Sequence, residues 1–170
     1  MIRVAIAFVL SALPAAAATL ELPRGALRAR EDFQALASYA VPASPWSSQG
    51  IQTIDAEGRL VREAWHVPGA ATTLQLLAPL REQLTEQGYS VVFECATTVC
   101  GGFDFRFETD VLPEPAMHVD LGDFRFLTAR REGPDAAPEY VTLLVSRSSG
   151  TGYVQFVKVA PPGAEPPAAV

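Results

Sequence analysis

Reactive side chains are scarce in this sequence of 170 residues, which has two cysteines, two histidines and a single lysine, Lys158. With His66 and His118 as the only histidines, imidazole-based metal sites and catalytic triads have few ways to assemble. No Gly-x-Ser-x-Gly elbow accompanies them, so a serine hydrolase of that type is excluded. The glycine pairs at 101–102 and at 150 and 152 lack a following Lys-Ser/Thr, so no phosphate loop is present. Excess positive charge is missing too. The net charge is −6 and the pI about 4.9, which leaves no basic footprint for nucleic acid or anionic lipid. Only one long apolar run occurs, at the very start. Nothing in the chain calls for a cofactor.

That run is the most readable segment. Arg3 precedes Val4 to Leu13, in which Ser11 is the only polar residue, and Pro14 and Ala15-Ala16-Ala17-Ala18 follow. Ten apolar residues reach roughly 15 Å as a helix, half of a ~30 Å hydrocarbon core. Positive start, short apolar stretch and small-residue site are the order of a signal peptide over 1–18, cleaved near Ala17 or Ala18. The expectation is an exported chain with no transmembrane segment once mature.

The remainder, 19–160, is expected to form one domain, followed by a tail at 161–170 with four prolines and the composition of an interdomain linker. Arg28 to Ala40 fits a short helix or an extended segment, anchored by Phe33, Leu36 and Tyr39. Residues 51–54 and 60–67 flank Asp55-Ala56-Glu57-Gly58 and predict a hairpin. Leu74, Leu77, Leu80 and Leu84 predict a helix over 73–87, capped by Thr72 or Thr73 and ended by Gly88, with Tyr89 packing back. Pro79 either bends this helix or starts it late. Val91-Val92-Phe93 reads as a buried strand. Phe103-Asp104-Phe105-Arg106-Phe107 alternates with period two and predicts a strand with three rings on one face, echoed by Phe124-Arg125-Phe126. Segments 140–147 and 153–159 predict a second hairpin around Ser148 to Gly152. The fold class is α+β, a mainly antiparallel sheet of five to seven strands with one principal helix on one face.

Cys95 and Cys100 stand as Cys-x4-Cys before Gly101-Gly102. An even count in an exported chain points to a disulfide between them, and thioredoxin-like exchange would need two intervening residues, not four. Zinc would need two more ligands, and the only histidines lie 52 residues apart (118 − 66). The enzymatic alternative pairs His118 with Asp120 or Asp123. Asp104, Glu108, Asp110, Asp120 and Asp123 cluster around the Phe-rich segments, and opposite Arg106 and Arg125 they read first as a salt-bridged surface.

The succession of Phe33–Tyr39 and Pro42, the Leu-rich helix ending at Gly88-Tyr89, Val92-Phe93-Glu94-Cys95-x4-Cys100-Gly101-Gly102-Phe103 and Val119-Asp120-Leu121-Gly122-Asp123-Phe124-Arg125-Phe126 resembles a known type of domain. That is the periplasmic domain of unknown function at the N-terminus of some Gram-negative OmpA-family proteins. The resemblance spans nearly all of 20–160. It implies a periplasmic, outer-membrane-associated place. The peptidoglycan-binding domain of those proteins has no counterpart here, so no residue inherits its role. The expected function is a non-enzymatic envelope module binding an envelope protein or a cell-wall component, through a patch of Arg106, Arg125 and His118. A small periplasmic enzyme and a truncated or split-gene remnant of an OmpA-family protein are the alternatives.

Overall fold

A computed structural model describes residues 19–133 and 136–162. The expected signal peptide, 1–18, and tail residues 163–170 lie outside them. The fold is α+β, with one six-stranded sheet antiparallel throughout: β1 (Leu27–Ser47), β2 (Gly50–Pro68), β3 (Ser90–Ala96), β4 (Phe124–Glu132), β5 (Pro138–Ser148) and β6 (Thr151–Ala160), in the order β1-β2-β6-β5-β4-β3. Three helices interrupt the strands: α1 (Thr73–Glu86), α2 (Thr97–Cys100) and α3 (Gly102–Glu108).

The period-two alternation of the central strands sorts the core into two faces. Val141, Leu143 and Val145 of β5, with Val154 and Phe156 of β6, meet Leu76, Leu77, Leu80 and Leu84 of α1. Thr72 caps that helix, its hydroxyl accepting from Gln75 N at 3.2 Å while the Gln75 side chain accepts from Thr72 N at 2.9 Å. Pro79 lies within the helix rather than at its start. Gly88 takes the left-handed conformation (φ 84°), and buried Tyr89 donates its amide to Leu84 O. One member of the expected stripe differs: Leu74 faces solvent and Leu76 joins Leu77, Leu80 and Leu84 in the core.

At the C-terminal end of α1 sits a buried charged cluster. Glu139 accepts from Tyr89 Oη at 2.8 Å and from Arg131 Nε at 3.1 Å, and pairs with Lys158 Nζ at 3.4 Å. Burial alone would raise the Glu139 pKa, but Lys158, the Tyr89 hydroxyl and Arg131 together hold it below the usual carboxylate range.

The opposite face is covered by chain, not by a second long helix. Residues 51–67 are not a hairpin but one continuous strand, because Asp55, Ala56, Glu57 and Gly58 pair with Ala40, Tyr39, Ser38 and Ala37 of β1. The turn lies at Ser48-Gln49 instead. Glycine is needed at 58 because a Cβ there would stand 2.0 Å from the Ala160 carbonyl oxygen. Beyond this crossing the β1–β2 arm packs against β3, β4 and β5. Tyr39 and Val41 are buried with Leu60, Tyr140, Val157 and Val159, and Thr128 Oγ1 donates to Pro42 O. β3 is an edge strand, so Val91 and Val92 are exposed, contrary to the buried run their sequence predicts. The second hairpin, β5–β6, forms where expected.

Candidate functional site

Residues 97–123 leave the edge of the sheet at β3 and return as β4, and this excursion holds the candidate site. Its first anchor is the Cys95–Cys100 disulfide, Cα atoms 5.1 Å apart, which ties the end of β3 to α2. Both cysteines are buried. Gly101 then joins α2 to α3 at φ 116°, in the left-handed region that favours glycine. A Cβ at this position would lie 2.6 Å from the Cβ of Trp46.

The expected strand at 103–107 is instead helix α3. The same string read at 3.6 residues per turn places Phe103 and Phe107 on one side and Phe105 on the other. Phe105 is fully buried, 5.1 Å from Phe126 and 6.3 Å from Phe124 between ring centroids. Phe103 and Phe107 are 57% and 64% exposed and pack on each other at 4.3 Å. Val99 of α2 is 69% exposed. Glu108 fixes the helix to the arm tip, accepting from Trp46 Nε1 at 2.6 Å and from Ile51 N at 3.2 Å. Arg106 lies over the Phe107 ring at 5.4 Å; partial burial lowers its pKa while Glu114 opposes the shift.

The following loop is pinned to the sheet by polar contacts. Arg62 Nε donates to Asp110, and the Gln155 side chain holds both Leu112 N and Asp110 O at 2.7 Å. His66 Nε2 lies 3.1 Å from Pro115 O and 3.0 Å from Ala116 O, so this nitrogen carries the proton and donates. His118 Nδ1 is 2.8 Å from Glu114 Oε1. The two histidine rings flank Tyr153, at 4.9 Å for His66 and 5.5 Å for His118. Beside them a cleft of about 410 Å³ opens between Ala29, Arg30, His66 and residues 113–116.

The cysteine pair forms the bond that the sequence predicts. The Arg106, Arg125 and His118 patch does not assemble as expected. Arg125 pairs across the ladder with Val145, whose side chain belongs to the α1 face, while Arg106 rides on α3 over the opposite face. Glu114 pairs with His118 and acts on Arg106 only through its charge, and Arg125 stands apart. Neither aspartate pairs with His118. Asp120 Oδ1 accepts from Gly122 N, and Asp123 accepts from Thr73 Oγ1 at 2.7 Å and from Arg147 Nε. Burial raises the Asp123 pKa, yet Thr73 and Arg147 outweigh it and the net direction is down. His66 belongs to β2, where nothing in the neighbouring sequence marks it for a contact with residues 113–116. Its role becomes visible only once β2 places it opposite residues 113–116.

Among the described residues, no group of three or more His, Cys, Asp and Glu is arranged to hold a metal ion. No helix among them is long and apolar enough to cross a membrane. No protein-family model and no curated protein matches the chain.

Proposed function

We propose that the protein is a non-enzymatic binding or scaffolding module of the bacterial cell envelope, and that α3 with the 113–118 loop is its partner-facing surface. One observation carries this reading: Phe103 and Phe107 are held outward on a helix that is itself rigidly anchored. The anchors are the disulfide, Gly101 against Trp46, Glu108 on the arm and Phe105 in the core. A contiguous apolar patch left in solvent marks an interaction site more often than a stability device, and these two rings are in contact. Export and periplasmic location, with outer-membrane association, are supported by the pattern of residues 1–18, by the likeness to OmpA-family N-terminal domains and by a disulfide suited to an oxidising compartment.

Two measurements test this reading. Mass spectrometry of protein from a periplasmic extract is expected to show an N-terminus at residues 18–20 and no alkylatable thiol. Intact Met1 or two free thiols would remove the envelope assignment. The variant Phe103→Ser with Phe107→Ser is expected to lose capture of envelope partners with its melting temperature nearly unchanged. Unchanged capture would clear α3 of the role. Among the described residues, the His118–Glu114 pair beside the cleft is the arrangement that favours an enzyme. On that reading His118→Ala abolishes turnover while capture persists.

A further inference from the structure

Residues 97–123 contain Asp104, Glu108, Asp110, Glu114, Asp120 and Asp123 against the single cation Arg106, a net of −5 in a chain whose total is −6. Almost the whole charge imbalance of the protein is therefore concentrated in the segment that carries the exposed rings. Asp110 is neutralised by Arg62 and Asp123 by Arg147. Glu108 is different, because its partners are the neutral donors Trp46 Nε1 and Ile51 N, so its charge is held in place without being cancelled.

Helical geometry orders these groups on α3. At 100° per residue, Phe103 and Phe107 form one stripe, Asp104 and Glu108 the next, and Arg106 lies on the far side of the rings. Arg106 covers Phe107 from the other side, which leaves the acidic stripe as the open flank. An apolar stripe beside a fixed acidic one complements a chain of opposite charge that also carries apolar side chains.

Resting on the reading of α3 as the partner surface, we propose that its occupant is a cationic, amphipathic segment of another polypeptide, its apolar side chains on Phe103, Phe107 and Val99 and its Lys or Arg side chains on Asp104 and Glu108. A second copy of this chain would bring the same acidic stripe against itself, a like-charge juxtaposition. An anionic lipid surface repels the same carboxylates.

The test is calorimetric titration of the oxidised protein with an 18-residue Leu/Lys peptide whose leucines share one helical face. Controls are the same peptide with Glu for Lys and a scrambled Leu/Lys peptide. The amphipathic Lys peptide is expected to bind one to one, at least about 100-fold tighter than the Glu peptide and more tightly than the scrambled one. Its affinity should fall about tenfold between roughly 50 and 300 mM salt. Phe103→Ser with Phe107→Ser should weaken it at least about tenfold, and Asp104→Asn with Glu108→Gln should weaken it and flatten the salt dependence. Equal affinity for the Lys and Glu peptides, or binding indifferent to both variants, overturns the proposal. So does self-association abolished by the serine variant without affinity for the Lys peptide, which gives the face to a second copy. Uptake by phosphatidylethanolamine–phosphatidylglycerol vesicles in place of peptide binding gives it to lipid and overturns it equally. If the serine variant loses envelope capture while the Lys peptide fails to bind, α3 remains the surface and the cationic partner is wrong. Capture unchanged in that variant removes the surface itself.

Discussion

Gly101 does two things that no other residue type can combine. Its φ of 116° turns the chain from α2 into α3, and its missing side chain lets Trp46 approach to where a Cβ would be. The clash is with a Cβ and backbone rather than with the flexible end of a side chain, so it is not relieved by a rotamer change. Gly101→Ala is expected to cost about 1–3 kcal/mol, by the scale of overpacking and backbone strain, measured by urea denaturation. It should also loosen α3, since the same contact seats the helix on the arm. A variant as stable as the parent would show that Trp46 retreats freely. Glu108 is the complementary case. Its carboxylate does structural work through neutral donors while keeping a charge that stays exposed to solvent.

At the scale of elements, α1 supplies four buried leucines to one core face, and Leu77 at its centre is fully buried. Leu77→Ala is expected to lower stability by about 2–4 kcal/mol, the range for a buried leucine that leaves a cavity, read from a denaturant midpoint with unchanged slope. A loss below about 1 kcal/mol would mean that α1 resettles. α1 is also the element whose limits were most legible, because cap, stripe and terminal glycine all point to the same boundaries. The last hairpin was legible for a similar reason, two β-rich runs around a serine–glycine turn. The 103–107 segment was not. Its alternation fits a strand, and what decides for helix is the disulfide, the left-handed Gly101 and a single pocket that accepts only Phe105. The pocket is built by Phe124 and Phe126 of β4, outside the segment. The β1–β2 arm escaped for the same reason, since Asp55 to Gly58 look like a turn until β1 pairs with them. Of the candidate site, the cysteine bond could be read directly, whereas the meeting of His66, His118 and Tyr153 depends on strand register and on the fold of the 113–118 loop.

For the whole molecule, charge placement sets the response to acid. Glu139 and Asp123 both have folded pKa values below their ordinary ones, so each contributes stability that is complete above the unfolded value, near pH 4. That contribution is lost as pH falls through the lowered folded values. The melting temperature is expected to change little between about pH 7 and 5 and to drop steeply below about pH 4. Glu139→Gln should be less stable at pH 7 and decline less steeply in acid, because it removes one of the two groups that must take up a proton. An acid limb identical in the variant would move the effect to other carboxylates.

The strand order has a consequence for the route by which the chain folds. β2 is flanked by β1, which precedes it, and by β6, which ends the sheet's sequence, with paired residues between 83 (Pro68 to Thr151) and 101 (Arg59 to Ala160) positions apart. Such pairings must close long loops before they gain anything, which places the sheet among slow, high-contact-order topologies. A chain emerging from its N-terminus holds β1 and β2 as an unsupported ribbon until β6 arrives. The arm cannot settle over the opposite face before then, since Gly58 crosses at Ala160 and the arm's core partners Val157 and Val159 belong to β6. Maturation of the Trp46 seat, and of the α3 face that rests on it, therefore waits on the last strand. The proposed partner surface is completed only by the final residues of the sheet, so a nascent or clipped chain lacks it.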